Sequence, residues 1–380
     1  MKKPHVIVVG AGAFGGWTAL YLLRQGARVT LLDAWGPGNS RASSGGETRI
    51  IRGTYGPNQP YTKMTARAFE LWDEHEAQWK KKFMQRCGVL WLVCGDGVFE
   101  RASLPTLREA GIAYEEWTPA TISKRYPQIN VEDVKWAIFE PGSGYLFARR
   151  SCHAVVEGFV AEGGEFKLGA VASVEISGGE THGVRLEDGS HLQAGSYVFA
   201  CGPWLGKLFP EVIGQHIRAT RQDVVFFGVP HGDARFTEEY LPVWADHGEH
   251  FVYGIPGSIT GDNARGFKFA DDTRGEEFDP TAGDRTVRPE FIRAAKQYLA
   301  HRFPAMKDAP VVETRVCQYE NTPDNHFIID RHPQAQNCWI VGGGSGHGFK
   351  HGPALGEMMT PLVLRNGAAD AVFRLERFQR

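Results

Sequence analysis

The sequence predicts a mixed α/β fold, in which a dinucleotide-binding domain with a parallel sheet is interleaved with a mostly antiparallel second domain. Three observations predict it: a glycine-rich turn between a strand and a helix at 5–25, a strand-rich middle from about 168 to 270, and a strand, glycine loop and helix after 339. With 380 residues, the chain is long enough for two domains and a sizeable core.

The opening motif begins with an apolar run at 6–9, followed by glycines spaced as G-x-G-x-x-G. Gly10 permits the turn, Gly12 lets the backbone approach the phosphates, and Gly15 lets the helix pack closely on the strand. Asp33 ends the next apolar run, where a carboxylate accepts hydrogen bonds from ribose hydroxyls. The spacing predicts a Rossmann-type dinucleotide site, and it does not choose between NAD and FAD.

The later elements are predicted from hydrophobic period, capping residues and turn residues. A Gly- and Ser-rich loop at 35–49 is long enough to suggest a functional role, and Asp188-Gly189 predicts a hairpin. The remaining expectations are helices at about 13–25, 61–81, 119 onward, 151–163, 289–302 and 352 onward, and strands at about 87–93, 168–176, 182–187, 191–200, 222–229 and 339–341.

The order of these elements predicts a discontinuous first domain, because the C-terminal strand and helix return to the style of the opening motif. We expect this cofactor domain to comprise residues 1–82, 147–217 and 318–380. The intervening residues, 83–146 and 218–317, have strand and loop character and are expected to form a substrate domain. No internal repeat is evident.

Composition and charge argue against several classes of protein. The formal net charge of -2 gives no reason to expect nucleic acid or an anionic membrane as a partner. No run approaches the roughly 20 apolar residues that span a bilayer. The six cysteines form no C-x-x-C and predict no disulfide framework, which favours a reducing cytoplasm. His247 and His250 form H-x-x-H without a convincing third ligand, so no metal site is expected.

Three further segments carry most of the chemistry: TRIIRGTYG at 48–56, RVCQYENTPDNHFIID at 315–330 and GGGSGHGFKHG at 342–352. With the opening motif, and in order and spacing, they resemble the monomeric sarcosine oxidase and N-methyltryptophan oxidase group of FAD-dependent amine oxidoreductases. The resemblance covers essentially the whole chain. It implies a monomeric FAD enzyme that oxidises the C–N bond of an N-methyl or N-alkyl amino acid with O2. The imine would hydrolyse to an aldehyde and an amino acid, and O2 would become hydrogen peroxide.

The resemblance also implies roles for residues of the substrate pocket. Arg52 and Lys350 match the residues that bind the substrate carboxylate, where a planar fork and a point charge together orient an anion. Tyr253 and Tyr319 match aromatic positions that line the pocket. Each tyrosine taken alone is more often a core residue.

For the cofactor, the resemblance implies that Cys317 is bonded to the flavin, whereas an isolated cysteine is usually a small buried apolar residue. Arg49 matches an arginine near the flavin ring, and Lys268 matches a lysine over the ring that favours reduction of O2. The other cofactor contacts implied are Gly10, Gly12, Gly15, Asp33, Thr48, Gly344, Gly346, His347, Gly348 and Lys350.

Two positions depart from the family pattern. Asp272 stands where sarcosine oxidases have a histidine, and it would place an anion in the pocket. An anion there favours a substrate with a second, cationic end. An equally good interpretation is that Asp271 and Asp272 cap a turn. The second departure is Gly45, which also replaces a histidine.

Several alternative functions stay open at this point. The same fold could oxidise a cyclic imino acid such as pipecolate or proline, or a primary amino acid. A flavin dehydrogenase would pass its electrons to an acceptor other than O2. An NAD-dependent dehydrogenase or a non-catalytic binding protein would share the opening motif. The segment around Cys317 and the run GGGSGHGFK argue against the NAD-dependent enzyme. The presence together of Arg49, Arg52, Lys268 and Lys350 argues against a non-catalytic protein.

Overall fold

The computed structural model describes residues 3–248, 250–258 and 265–379. The strands of these residues are β1 (His5–Val9), β2 (Arg28–Asp33), β3 (Thr48–Ile51), β4 (Met84–Gln85), β5 (Val89–Val93), β6 (Glu115–Trp117), β7 (Trp136–Glu140), β8 (Gly144–Phe147), β9 (Glu165–Leu168), β10 (Val171–Ser177), β11 (Glu180–Leu186), β12 (His191–Leu192), β13 (Ser196–Phe199), β14 (Arg218–Phe227), β15 (Val243–His247), β16 (Phe251–Ile255), β17 (Phe267–Asp271), β18 (Val311–Asn321), β19 (Ile328–His332) and β20 (Ala335–Gly342). The α-helices are α1 (Ala13–Arg24), α2 (Gln59–Trp79), α3 (Val98–Glu109), α4 (Pro119–Arg125), α5 (Ala148–Ala161), α6 (Leu205–Leu208), α7 (Pro210–Ile213), α8 (Pro289–Arg302) and α9 (Gly352–Leu364).

A six-stranded sheet with the order β19-β20-β13-β1-β2-β9 forms the first layer. Its neighbours pair in parallel except for β19 and β20. Both faces of the central strands β1 and β13 are covered, so these strands are mostly apolar. Val6 and Val8 pack in the core that contains α1 and α9, whereas Ile7 and Val9 pack in the core that contains α6 and α7.

An eight-stranded sheet with the order β18-β14-β17-β16-β15-β5-β7-β6 forms the second layer. All its pairs are antiparallel except that of β15 with β5. The register of β14 places Gln222 opposite Cys317 and Phe226 opposite Lys268, so β17 and β18 flank one central strand. Two smaller sheets, β10-β11-β12 and β3-β8-β4, complete the fold.

The expected α/β fold class is confirmed, and α8 has the bounds that the sequence predicts. The single strand expected at 191–200 is wrong: β12 belongs to a small sheet, and β13 turns into the parallel sheet. The short helix expected from 119 is confirmed as α4, whereas α3 forms in a region that was expected to have strand and loop character. Pro105 within α3 hides that helix from a periodicity argument. The domain boundaries stay a prediction.

None of the helices formed by the described residues combines the length and the apolar character needed to cross a membrane.

Candidate active site

The glycine turn after β1 is required sterically. Gly10 has a φ of +106°, and a Cβ atom on it would lie 2.2 Å from the carbonyl oxygen of Ala200. A Cβ atom on Gly15 would lie 1.9 Å from the carbonyl oxygen of Gly10. The Asp33 carboxylate accepts the backbone N–H of Ala11 at 2.7 Å, which ties the end of β2 to the turn. Burial raises the pKa of Asp33.

This geometry predicts different outcomes for two neighbouring glycines. Gly15→Ala should cost several kcal/mol, about 3 or more, because backbone atoms must move to accept the methyl group. Gly16→Ala is the matched control, since its Cβ would make an ordinary 3.4 Å contact with Val155. We expect it to leave stability unchanged or raise it by up to about 1 kcal/mol. Thermal unfolding and the bound FAD content measure both effects, and equal losses in the two variants would contradict the steric argument.

A cavity of about 760 Å³ opens at this turn. The N-terminus of α1 faces it, where the Ser44 hydroxyl accepts the backbone N–H of Ala13 at 3.0 Å. Two tryptophan rings, Trp35 and Trp204, lie 4.9 Å apart farther along its wall. A long pocket with a glycine turn, a helix N-terminus and a flat aromatic wall fits a dinucleotide. The predicted cofactor residues along it are Gly10, Gly12, Asp33, Arg49, Gly344, Gly346 and Gly348.

A second cavity, of about 60 Å³, adjoins the first. Both are lined by Arg49, Tyr319, Gly346 and Phe349, so these four residues mark where the two cavities meet. The other residues of the small cavity are Ile50, Arg52, Val89, Ala245, Phe251, Tyr253, Lys268, Asp272, His347 and Lys350. The fold thus brings together all the predicted substrate residues, which lie between positions 52 and 350 of the chain.

One end of the small cavity carries two cations. The Arg52 guanidinium stacks on the rings of Tyr55 and Trp91, with its central carbon 4.5 and 4.8 Å from their centroids. The side-chain nitrogen of Lys350 lies 5.3 Å from the centroid of the same Tyr55 ring and donates to its hydroxyl at 2.9 Å. Two basic side chains therefore contact one tyrosine, an arrangement suited to a planar anion such as a carboxylate.

The turn that carries Arg52 is held by a buried carboxylate that the sequence analysis missed. Glu140, at the end of β7, accepts the backbone N–H groups of Gly53 at 2.7 Å and Thr54 at 3.1 Å. It also accepts the hydroxyls of Thr54 and Ser143 at 2.6 and 2.7 Å. These four bonds satisfy the carboxylate and fix the backbone beside Arg52.

The opposite end of the small cavity carries Lys268 and Arg49. Lys268 is 5% exposed, and its ammonium group donates to the carbonyl oxygen of Thr48 at 3.2 Å. Burial and the nearby Arg49 lower the pKa of Lys268 to about 7. One guanidinium nitrogen of Arg49 lies 3.5 Å from the sulfur of Cys317. Lys268 of β17, Cys317 of β18 and Arg49 of β3, all predicted site residues, are therefore neighbours.

Asp272 lines the small cavity, yet its charge is already paired. Tyr319 donates its hydroxyl to one carboxylate oxygen at 2.9 Å, and Arg274 binds the other at 3.0 Å. The sequence argument for a second, cationic end on the substrate therefore loses force. The capping interpretation holds for the neighbouring residue, since Asp271 accepts the backbone N–H of Thr273 at 2.7 Å.

Some predicted residues lie outside the cavity to which they were assigned. Gly15, Thr48 and Cys317 do not line the large cavity, and His347 and Lys350 line the small one instead. Among the described residues no group of His, Cys, Asp or Glu side chains is arranged to hold a metal ion. His247 pairs with the buried Glu100 at 2.6 Å.

Further residues of the site were not assigned from the sequence. Tyr55, His351 and Glu320 lie within or beside segments that the sequence analysis singled out, but nothing in a strand pattern marks their roles. Glu320 lines the large cavity and accepts the backbone N–H of Gly344 at 3.2 Å. Burial raises the pKa of Glu320 to about 7. The one signal for a role of Glu320 is that a charged residue stands at the end of β18, where the other side chains are buried.

Comparisons with known proteins agree with this geometry. The family model for FAD dependent oxidoreductases matches residues 5–362. Monomeric sarcosine oxidase of Bacillus sp. (strain B-0618) is 32% identical over 365 residues, 94% of this chain and 92% of that protein. N-methyl-L-tryptophan oxidase of Yersinia pestis (strain Pestoides F) is 28% identical over 366 residues, 93% of each chain.

Among solved structures, the L-proline dehydrogenase of P. horikoshii superposes with a TM-score of 0.85 at 22% identity, covering 100% of this chain and 98% of that one. At this identity the likeness concerns the fold. The family model and the sequence relatives span nearly the whole chain in one continuous alignment. The chain therefore belongs to the FAD-dependent oxidoreductases and, within them, to the monomeric sarcosine oxidase and N-methyltryptophan oxidase group.

Proposed function

We propose that this protein is an FAD-dependent oxidase of small N-methyl or N-alkyl amino acids. The observation that carries the proposal is the small cavity, whose lining combines Arg52 and Lys350 with Arg49 and Tyr319, which also line the dinucleotide cavity. An amino acid whose carboxylate is bound by Arg52 and Lys350 keeps its nitrogen one carbon away from that carboxylate and extends its N-alkyl carbon towards the shared lining. The sequence relatives act, by their names, on sarcosine and N-methyltryptophan.

The protein's residues bind and orient, while the cofactor supplies the redox chemistry. The chemistry that bound FAD would supply is acceptance of a hydride equivalent from the carbon next to the amine nitrogen and donation of the electrons to O2. Arg52 and Lys350 hold the carboxylate, and the aromatic side chains of Phe251 and Tyr253 exclude water from the reacting carbon. Lys268 provides a buried positive charge where oxygen acquires negative charge.

The volume of the small cavity favours a small substrate. Val89, Ala245, Phe251 and Tyr253 form its apolar wall. A cavity this much smaller than the dinucleotide cavity favours the compact N-methylglycine, whereas an indole ring needs several of these side chains to move. We therefore expect sarcosine to be preferred to N-methyltryptophan.

Peroxide release tests the function. The purified protein is mixed under air with sarcosine, N-methyltryptophan, proline, pipecolate and primary amino acids, and hydrogen peroxide, formaldehyde and ammonia are measured. Peroxide with formaldehyde from sarcosine is the expected result. Peroxide from proline or pipecolate without formaldehyde would indicate the cyclic imino acid alternative, and ammonia would indicate a primary amino acid. Reduction of FAD by sarcosine without peroxide would indicate a dehydrogenase.

We further propose that the flavin is bonded to Cys317. The Cys317 sulfur lies 3.5 Å from a guanidinium nitrogen of Arg49, a residue that lines both the dinucleotide cavity and the small cavity. Cys317 is only partly buried, whereas Cys152 and Cys338 are buried and lie elsewhere.

Acid precipitation tests the covalent bond. The yellow colour should stay with the precipitated wild-type protein and move into the supernatant for Cys317→Ser. Cys338→Ser is the matched control and should keep its colour in the pellet, because Cys338 is a residue of β20 that is fully buried in the hydrophobic core. Free FAD in the wild-type supernatant would show that Cys317 is an ordinary cysteine.

We also infer that the protein acts as a monomer in a reducing compartment. None of the six cysteines forms a disulfide bond. Even Cys152 and Cys338, whose burial would protect a disulfide from reduction, are free thiols. The sarcosine oxidase relatives are named monomeric. Size-exclusion chromatography with light scattering tests the oligomeric state.

A further inference from the structure

Lys350 is a buried basic residue whose direct partners are uncharged. Its side-chain nitrogen donates to the hydroxyl of Tyr55 at 2.9 Å and to the carbonyl oxygen of His347 at 2.9 Å. The residue is only 4% exposed. A charged amine in such a place needs an anion nearby, and neither hydrogen-bond partner provides one.

The charged and titratable groups around Lys350 come from four parts of the fold. Arg52 follows β3 and repels a positive charge, whereas Asp272 after β17 and Glu140 of β7 attract one. Both carboxylates already have partners of their own, since Asp272 is bound by Arg274 and Glu140 accepts four hydrogen bonds.

His347 and His351 belong to the segment of Lys350 itself, and burial together with Lys350 lowers the pKa of both rings. His351 is fully buried, and its Nε2 atom shares a hydrogen bond of 2.8 Å with the Tyr55 hydroxyl. Burial and Arg52 likewise hold the pKa of Lys350 well below its usual range. The free pocket therefore favours an uncharged Lys350 amine.

An uncharged amine has two N–H groups and one lone pair. Tyr55 and the His347 carbonyl oxygen use both N–H groups of Lys350, which leaves the lone pair in a remaining direction. Lys350 also lines the small cavity. It therefore carries an available proton acceptor at the place where the proposed function puts the substrate carboxylate.

An amino acid arrives in neutral solution as a zwitterion, with a carboxylate and an ammonium group separated by one carbon. Its nitrogen must lose a proton before the adjacent C–H bond can be oxidised, because the lone pair stabilises the positive charge that develops. The carboxylate, in turn, needs a second cation beside Arg52. One proton transfer satisfies both requirements.

We infer that Lys350 is the base that activates the substrate, taking the proton of its ammonium group as the carboxylate binds. The N–H bond of the substrate breaks and a new N–H bond forms on Lys350, so an ammonium and an amine become an amine and an ammonium. No proton is exchanged with solvent. The product is a free amine held by two cations, Arg52 and the newly charged Lys350. This inference rests on the proposed function.

Proton uptake on ligand binding tests the inference in the holoenzyme. Propanoate and glycine have similar size and share a carboxylate, but only glycine carries an ammonium group. Binding is measured by calorimetry at about pH 8 in buffers of different ionisation enthalpy, from which the number of protons exchanged follows. Wild type should take up about one proton with propanoate and about none with glycine. Lys350→Arg should take up none with propanoate, because an arginine is already charged.

Each other outcome overturns the inference. No uptake with propanoate in the wild type would mean that Lys350 is charged before the ligand binds. Equal uptake in Lys350→Arg would assign the proton to another group. Uptake with glycine would show that the ligand keeps its own proton. If neither ligand binds, the carboxylate site itself is wrong, and the proposed function fails with it.

The rate of anaerobic FAD reduction by sarcosine gives a second readout. In Lys350→Arg no internal base remains, so the reactive amine must come from solution. Its reduction rate should climb with pH towards the pKa of the free substrate amine, about 10. Wild type should reach its plateau at least one pH unit lower. Identical pH profiles in the two proteins would contradict the assignment.

Discussion

Lys268→Met is expected to remove most of the reactivity with O2, by roughly 10³-fold, while FAD reduction by the substrate changes by less than about tenfold. The reason is the position of Lys268, which lines the small cavity, is 5% exposed and, among the described residues, donates a hydrogen bond only to the Thr48 carbonyl oxygen. A buried cation stabilises charge that develops on oxygen far more than one in water. Rapid-mixing measurements of the two half-reactions separate the effects.

Lys268→Arg is the matched control, because it keeps the positive charge on a longer side chain. It should recover part of the oxygen reactivity that Lys268→Met loses. A loss of substrate reduction equal to the loss of oxygen reactivity would show instead that Lys268 positions the substrate or the cofactor. Unchanged oxygen reactivity in Lys268→Met would remove the role altogether.

The pH dependence follows from the same residue. Burial and Arg49 lower the pKa of Lys268 to about 7. The ammonium form, which stabilises negative charge, is therefore fully present below that pH and is lost above it. We expect the rate constant for reaction of the reduced wild-type protein with O2 to fall as pH rises through about 7 and to stay flat in Lys268→Met.

The dinucleotide cavity could be predicted from the sequence because its determinants are local. The turn after β1 needs a positive φ at Gly10 and a bare Cα at Gly15, and both requirements are met within one strand, one turn and one helix. Asp33, the acid at the end of β2, is only 22 residues from its amide partner Ala11. Such short-range features can be recognised in the amino-acid sequence.

The small cavity could be assembled only through the family resemblance. Arg52, Lys268, Tyr319 and Lys350 meet because β3, in a small sheet, lies beside strands of the eight-stranded sheet that contains β17 and β18, and no periodicity reports that contact. Glu140 supports Arg52 across more than eighty residues of chain, so its role was invisible.

Side-chain pairing was equally hidden. Asp272 is seen as a new negative charge in the sequence, but Arg274 and Tyr319 bind both of its oxygens in the structure. A carboxylate that is paired with a cation changes the electrostatic potential of a pocket less than an unpaired carboxylate does. The difference between these two situations depends on rotamers that a sequence does not contain.

Arg52→Gln is expected to reduce kcat/KM for an N-methyl amino acid by roughly 10²–10³-fold. The Arg52 guanidinium lies between the rings of Tyr55 and Trp91, which fix its plane at the carboxylate end of the small cavity. Removing it leaves the substrate carboxylate with Lys350 alone, in a place where water cannot replace the lost hydrogen bonds. Steady-state peroxide release with sarcosine measures the effect.

Arg52→Lys and an uncharged substrate complete the test. Lysine keeps the charge but loses the fork and the flat contact with the two rings, so a loss of roughly tenfold is expected. For the amide of sarcosine, which has no negative charge, Arg52→Gln should change kcat/KM by less than about threefold. The selectivity for acid over amide would therefore collapse in Arg52→Gln. If acid and amide lose activity equally, Arg52 supports the fold of the pocket, and the carboxylate is bound elsewhere.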